Sequence, residues 1–242
     1  MLFRSSITGS ELVDAVPEIK SYARVRVEQI ANIGSTNMNP GIWLKLASRI
    51  NAIFSTEPQV AGVVVTHGTN TLEETAYFLN LTVKHDKPVV LVGAQRPPTA
   101  ISADGPLNLL NGIRVAGAPV SRGKGVLVVM NDEINGARDV TKSNTYRVEA
   151  FRSGELGFLG YVDADEVAFY RSSTKRHTAR TEFDVDALTS LPKVEIVYAY
   201  AEPGVDMFKA LDAGGARGIV IAGTGAGGMS DRSEEHTSEL QS

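Results

Sequence analysis

The sequence contains no cysteine among its 242 residues, which excludes disulfides, thiol nucleophiles and thiolate metal sites. No apolar run approaches the roughly 20 residues of a membrane-spanning helix, so the sequence predicts no membrane partner. The excess of acidic over basic residues is also small, with a net charge of -4. This mild acidity argues against a nucleic-acid partner. The 43% hydrophobic content is ordinary for a soluble globular protein of one large domain or two unequal ones.

What the sequence does contain is a set of short apolar runs bounded by glycine or proline. They read GVVVT (62–66), PVVLVG (88–93), GVLVVM (125–130) and GIVIAG (218–223). Continuous runs of Val, Ile and Leu are typical of strands buried on both faces of a parallel sheet. The partly alternating segment ARVRVEQIANI (23–33) predicts a further strand. Helical periods at 72–83 and 107–116 lie between the runs, so the alternation predicts an α/β fold with a parallel sheet.

The stretch VVVTHGTNTLEET (63–75) places polar residues between a strand and a helix. Thr71 and Glu74 have the spacing of a capping box, which predicts that the helix begins there. Residues 67–70 then leave the carboxyl end of a buried strand, the edge where open α/β sheets bind ligands. Three other polar segments, 32–37, 94–104 and 131–145, follow strands in the same way, and we expect all four to converge on one crevice.

Composition also divides the chain. Residues 1–170 form the predicted N-terminal domain, and the polar residues 171–192 form a linker. Residues 193–231 read as strand, helix and strand, too few to bury a core, so we expect a truncated, smaller α/β C-terminal domain. The tail RSEEHTSELQS (232–242) looks like a translated sequencing adapter and is excluded from the interpretation.

The run GVVVTHGTNTLEETAYFLNLTVKHDKPVVLVGAQRP (62–97) resembles the L-asparaginases, specifically the bacterial type II branch, whose motif reads G-x-x-x-T-H-G-T-D-T before a short acidic helix. Further matches are EQIANIGSTNM, SADGPLNLLNGIRVA, GVLVVMNDEINGARDVTKSNT and FDVDALTSLPKVEIVYAY, from Leu12 to about Ser230. The resemblance implies a Rossmann-like N-terminal domain. It also implies hydrolysis of L-asparagine to L-aspartate and ammonia through a threonyl acyl-enzyme, with no metal and no cofactor.

The resemblance assigns two catalytic residues directly. Thr69 matches the second essential threonine of the family, and Lys142, in DVTKSNT, matches the lysine that works with that threonine and an aspartate. Asn70 stands where the family has that aspartate, so it occupies a catalytic and substrate-binding position without the charge. We therefore expect weaker substrate binding and a disturbed Lys142.

Three more residues are implied in substrate binding. Ser35, in NIGS, matches a residue that contacts the substrate carboxylate, and Thr36 lies beside it. Ala94 lies where the family places a backbone carbonyl near the amide. By contrast, His67 is expected to be structural, and His177 is expected at the surface.

The sequence also departs from the family at its ends. The opening T-G-G-T-I motif, whose first threonine is a leading candidate nucleophile, is absent, and Gly228 falls at about the position where the family often has an asparagine that reaches a neighbouring subunit's site. We therefore expect an internal fragment that is inactive and poorly stable by itself. The full-length protein is expected to be a homotetramer, periplasmic or secreted if a signal peptide precedes this sequence and otherwise cytoplasmic.

Three alternatives to an asparaginase stay open at this point. A glutaminase-asparaginase acting on L-glutamine is the nearest, and pocket size would decide it. A tRNA-dependent amidotransferase subunit should carry an extra N-terminal module. In a non-catalytic amino-acid-binding relative, Asn70 and Gly228 would be positions at which the catalytic residues of the family have been lost.

Overall fold

The computed structural model describes residues 8–201 and 206–230. The chain divides into two compact units, Met1–Thr189 and Ser190–Ser242. The predicted tail 232–242 lies outside the described residues. Within the described parts, no helix has the length and hydropathy to cross a membrane.

The described elements comprise five α-helices and ten strands. The helices are α1 Gly9–Asp14, α2 Pro40–Thr56, α3 Leu72–Thr82, α4 Gly105–Gly117 and α5 Asp206–Ala213. The strands are β1 Val63–Thr66, β2 Val89–Val92, β3 Val126–Met130, β4 Glu133–Gly136, β5 Thr141–Lys142, β6 Phe151–Arg152, β7 Gly160–Val162, β8 Val167–Phe169, β9 Val194–Tyr198 and β10 Gly218–Ala222. Short 3₁₀ helices lie at Pro17–Ser21, Ser35–Asn37, Pro119–Ser121, Gly154–Leu156 and Thr178–Arg180.

The central sheet of the first unit has the strand order β1-β2-β3-β4-β7-β8. Strands β1, β2 and β3 are parallel, as the apolar runs predict, with Val63 opposite Val89 and Val89 opposite Val126. The other half is antiparallel and was not predicted. It begins at a two-residue turn in which Asn131 and Asp132 have φ values of 53° and 64°. Positive φ at both turn residues is the geometry that a tight hairpin requires.

The core lies around β2 and β3, which are buried throughout their length. Helix α4 packs against β1 and β2, and α3 packs against β3. Gly112 allows the close approach of α4, because a Cβ there would lie 2.5 Å from Val92 Cγ1. The helices therefore fix the carboxyl ends of these strands, and the loops that follow them, relative to each other.

Two local predictions are wrong. Helix α3 begins after Thr71 as expected, but Thr71 makes no capping bond and its hydroxyl instead donates to the Ser35 carbonyl at 2.7 Å. Residues 23–33 form no strand. Their alternating charges are instead satisfied by ion pairs with α2 and the residue after it, Arg26 with Glu57 and Glu28 with Arg49.

The predicted linker is packed along residues 171–189, which cluster with the first unit. Lys84 Nζ donates to the Thr181 carbonyl at 2.9 Å, next to the end of α3. His177 is 8% exposed, so the prediction that it lies at the surface is wrong. Gly125 makes room for it, since a Cβ there would lie 3.2 Å from the His177 ring.

The second unit pairs β9 with β10 in parallel, with Val194 opposite Gly218. Phe208 of α5 is buried, as is Val197 of β9. Gly228, singled out in the sequence, closes a turn with Thr224, whose amide donates to the Gly228 carbonyl at 2.8 Å. The unit thus has the predicted order of strand, helix and strand.

Candidate active site

The loop after β1 is held by Ser35. The Asn70 amide donates to Ser35 Oγ at 3.2 Å, and Ser35 itself is buried. Gly68 lies directly over this serine, because a Cβ on Gly68 would come 2.7 Å from Ser35 Oγ. The predicted convergence of segments 32–37 and 67–70 is therefore present in the structure.

Lys142 reaches the same loop from β5. Its Nζ donates to Thr69 Oγ1 at 2.8 Å, although the two residues are 73 positions apart in sequence. Burial lowers the pKa of Lys142, and the nearby Glu73 carboxylate opposes this by raising it. The result is a threonine hydroxyl in contact with an amine that loses its proton more readily than an ordinary lysine.

Glu73 is a site residue that the sequence reasoning missed. Its carboxylate accepts one hydrogen bond from the Lys142 amide and another from the Thr141 hydroxyl, the latter at 3.1 Å. An acidic residue in the first turn of a helix already has a general explanation in the helix dipole. The available signal is its place in the motif, four residues after Thr69 and in the first turn of α3.

The loop after β2 also comes to Thr69. A Cβ on Gly93 would lie 3.0 Å from Thr69 Cγ2, so the backbone beside Ala94 adjoins the threonine. The Gly93 carbonyl accepts from Asn108 Nδ2 at 3.0 Å, and the Gln95 amide donates to Asp104 at 2.9 Å. Ala94 is exposed between these two anchored neighbours.

The remaining predicted residues are present at the site without fixed side-chain contacts. Within the described residues, the side chains of Thr36 and Asn70 make no hydrogen bond, and both residues are exposed. An open cleft of about 300 Å³ adjoins the site. It is lined by Asn70, Glu73, Lys142, Ser143, Asn144 and Thr145. The structure thus brings Thr69, Lys142 and Asn70 to one place, with Ser35 behind the loop.

His67 lies in a chain of hydrogen bonds. Trp43 Nε1 donates to Thr75 Oγ1 at 2.8 Å, and Thr75 Oγ1 lies 2.9 Å from His67 Nε2. His67 Nδ1 lies 2.7 Å from the Gly68 carbonyl, which can only accept, so Nδ1 carries the proton. Burial lowers the pKa of His67, consistent with a neutral ring. This arrangement holds the loop next to Thr69.

Comparison with known proteins identifies the family of the chain. The family described as "Asparaginase, N-terminal" matches residues 2–175. The chain belongs to the asparaginase family. L-asparaginase 2 of Bacillus subtilis is 54% identical over 96% of this chain, and a "Probable L-asparaginase periplasmic" of Haemophilus influenzae is 53% identical over 90% of it.

A solved structure of the family has the same fold. It is the crystal structure of a "Probable Cytoplasmic L-asparaginase" from Campylobacter jejuni, 50% identical, with a TM-score of 0.93 over 97% of this chain and 74% of that one. The chain spans 62% of the length of each of the two curated relatives. The likeness confirms the α/β fold and the family that the motifs indicate.

Proposed function

We propose that the protein hydrolyses the side-chain amide of L-asparagine, releasing L-aspartate and ammonia. The observation that carries the proposal is the 2.8 Å contact between Lys142 Nζ and Thr69 Oγ1. Membership of the asparaginase family supports it, as do relatives of 54% and 53% identity that are named L-asparaginases. A weakly nucleophilic hydroxyl with a base in reach is the arrangement that acyl transfer requires.

The chemistry proceeds in two steps. A threonine hydroxyl oxygen forms a bond to the side-chain carbonyl carbon, while its proton passes to a neutral amine such as Lys142. The carbon–nitrogen bond then breaks, and the amide nitrogen takes up that proton and leaves as ammonia. Water hydrolyses the resulting ester, giving the aspartate carboxylate and restoring the hydroxyl. Thr69 is the threonine of the loop after β1, and its hydroxyl accepts a hydrogen bond from Lys142 Nζ beside the cleft.

The substrate groups are assigned to the residues around Thr69. In the proposal, Ser35 and Thr36 bind the α-carboxylate, and Asn70 accepts a hydrogen bond from the α-ammonium through its side-chain oxygen. The Ala94 carbonyl accepts from the substrate amide. The anchoring of Gly93 and Gln95 supports this last role, because it fixes the backbone on both sides of Ala94.

The activity is tested with the protein expressed from its complete gene. Ammonia release from L-asparagine and from L-glutamine is measured for the unmodified protein, Thr69→Val and Lys142→Met, with Thr145→Val as the control threonine in the cleft. We expect preferred hydrolysis of L-asparagine and losses of at least about a thousandfold for the two site variants. Unchanged activity of Thr69→Val would overturn the role of Thr69.

Two other outcomes would replace the proposal. A higher kcat/KM for L-glutamine would make the protein a glutaminase-asparaginase. Binding of L-aspartate in calorimetry, without ammonia release at any pH, would make it an amino-acid-binding relative.

Assembly and location are further proposals. We propose a homotetramer for the complete protein, which sedimentation velocity tests directly. The relatives' names include both a periplasmic and a cytoplasmic protein. We propose export to the periplasm if the complete gene encodes a signal peptide, and cytoplasmic location otherwise.

A further inference from the structure

Glu73 joins helix α3 to strand β5. Its two carboxylate oxygens are divided between two donors: Oε2 accepts from the Lys142 amide, and Oε1 accepts from the Thr141 hydroxyl at 3.1 Å. Both donors belong to β5, and the strand pairing of β5 within the described residues is limited to the two residues of β6. A strand with so short a ladder depends on additional contacts for a fixed position.

Lys142 is thereby attached at both of its ends to one short segment. Its backbone amide binds Glu73, and its Nζ binds Thr69, which precedes Glu73 by four residues. The segment 69–73 and the lysine thus form a closed ring of contacts. Movement of β5 relative to α3 would stretch the Nζ–Oγ1 contact unless the flexible lysine stem compensated for it.

Glu73 also supplies the negative charge of this region. It is the one carboxylate among the six described residues that line the cleft, where position 70 is a neutral asparagine. Its charge favours the ammonium form of Lys142, whereas burial favours the neutral amine. The balance of these two effects determines how readily the lysine gives up its proton.

We propose that Glu73 is a positioning residue that holds Lys142 against Thr69 and controls the charge of its ammonium group. The catalytic consequence rests on the proposed function, whereas the positioning itself is independent of any activity. In this role, Glu73 acts through Lys142.

Two substitutions separate position from charge. Glu73→Gln keeps one acceptor oxygen but removes the charge, and Glu73→Ala removes both. Glu74→Gln is the matched control, since Glu74 is the exposed neighbour in the same helical turn and its carboxylate makes no hydrogen bond within the described residues. All variants are made in the protein expressed from its complete gene.

The first measurement is hydrogen exchange at the Lys142 amide, which needs no substrate. We expect faster exchange in Glu73→Ala than in the unmodified protein or in Glu74→Gln, because the amide loses its acceptor. Equal exchange rates of this amide in Glu73→Ala, Glu74→Gln and the unmodified protein would overturn the proposal, whatever the activity.

The second measurement is the pH profile of kcat/KM for L-asparagine. Removing the Glu73 charge lowers the pKa of Lys142, so the acidic limb of the profile should move to lower pH in Glu73→Gln and stay in place in Glu74→Gln. Glu73→Ala should also lose on the order of a hundredfold in kcat, since misplacement of about 1 Å has that effect. An unmoved limb would refute the control of charge, while absence of activity in the unmodified protein would instead refute the proposed function.

Discussion

At the scale of single residues, Asn70 gives the cleft a neutral side chain next to Thr69. The asparagine is exposed and lines the cleft, and its backbone amide is fixed by Ser35. The backbone is therefore fixed at the position from which, in the proposed function, the side chain meets the α-ammonium group of the substrate. What the side chain lacks is the negative charge, because an amide oxygen accepts a hydrogen bond without charge assistance.

Asn70→Asp should raise kcat/KM for L-asparagine. Hydrogen bonds between charged groups contribute about 1.5–3 kcal/mol against about 1 kcal/mol for neutral ones, so the increase should be about tenfold or more. Steady-state ammonia release measures it. Asn144→Asp, in the same cleft, should give no comparable increase. An equal effect of the two variants would mean that any added charge suffices, and no effect of Asn70→Asp would refute this prediction.

At the scale of elements, helix α4 fixes the backbone around Ala94. The Asp104 carboxylate, which precedes the helix, accepts from the amides of Gln95 and Arg96, both at 2.9 Å. Asn108, one turn later, binds the Gly93 carbonyl. One end of one helix therefore holds the chain on both sides of the residue whose carbonyl is proposed to bind the substrate amide.

Asp104→Ala should weaken both stability and substrate binding. Two backbone amides lose a charged acceptor, which should lower the free energy of unfolding by about 1–3 kcal/mol. Urea denaturation followed by the fluorescence of Trp43, the single tryptophan, measures this. Asp165→Ala, in an exposed turn, is the control. KM for L-asparagine should rise in Asp104→Ala and stay unchanged in Asp165→Ala. An unchanged KM in Asp104→Ala would show that a fixed backbone around Ala94 is not needed for substrate binding.

The packed segment 171–189 should make stability depend on pH through His177. Burial lowers the pKa of His177, and the positive charge of Arg180 lowers it further. The native histidine thus stays neutral while the unfolded one binds a proton near its ordinary pKa of about 6.5. This contribution is complete above about pH 6.5 and is lost as the pH falls from there toward the lower native pKa.

His177→Gln should therefore reduce the fall in the free energy of unfolding between about pH 7.5 and about pH 5.5. Urea titrations at the two pH values measure the difference. His67 has a pKa lowered in the same direction, so part of the dependence should persist in the single variant and diminish further in a double variant with His67→Gln. Identical pH dependence in His177→Gln and the unmodified chain would contradict the prediction.

The correctly predicted elements are those whose burial produces a single clear pattern of apolar residues in the sequence. Strands β2 and β3 are buried throughout, so their sequences are continuous runs of apolar residues. The segment 23–33 has an alternation that predicts a strand, but its charged side chains bind α2 and the residue that follows it instead of facing a sheet. The antiparallel half escaped prediction because β7 and β8 have only three residues each, too few to show a period.

The site was predictable only where a motif carried it. The resemblance pointed to Thr69 and Lys142 as a pair, whereas a lone lysine 73 residues away indicates no contact by itself. Glu73 was missed, as was the diversion of the Thr71 hydroxyl to Ser35. Both depend on distant segments whose position is set by the folded sheet.

At the scale of the whole molecule, the second unit has a row of exposed apolar side chains along β9. Alternate residues of β9 and the chain after it are exposed, namely Val194 (49%), Ile196 (64%), Tyr198 (73%) and Tyr200 (56%). Alternation places them on one face of the strand. Such a contiguous apolar patch favours association.

Ile196→Lys should weaken self-association of the chain by on the order of tenfold or more, because burying an isoleucine side chain contributes about 1.5–3 kcal/mol. Concentration-dependent light scattering measures it. Glu195→Lys, which introduces the same residue one position earlier on the strand, should not have this effect. If both lysines act alike, net charge and not the apolar face controls association.

The ring formed by residues 69–73 and Lys142 has a consequence for folding. The Lys142–Glu73 contact spans 69 positions of the sequence and the Lys142–Thr69 contact spans 73, with β2, α4, β3 and β4 in the intervening chain. Bringing such distant segments together is slow relative to local structure formation. Contact between the lysine and the threonine should therefore appear in the last kinetic phase of refolding, so that catalytic competence reports completion of the chain's assembly and not its early collapse.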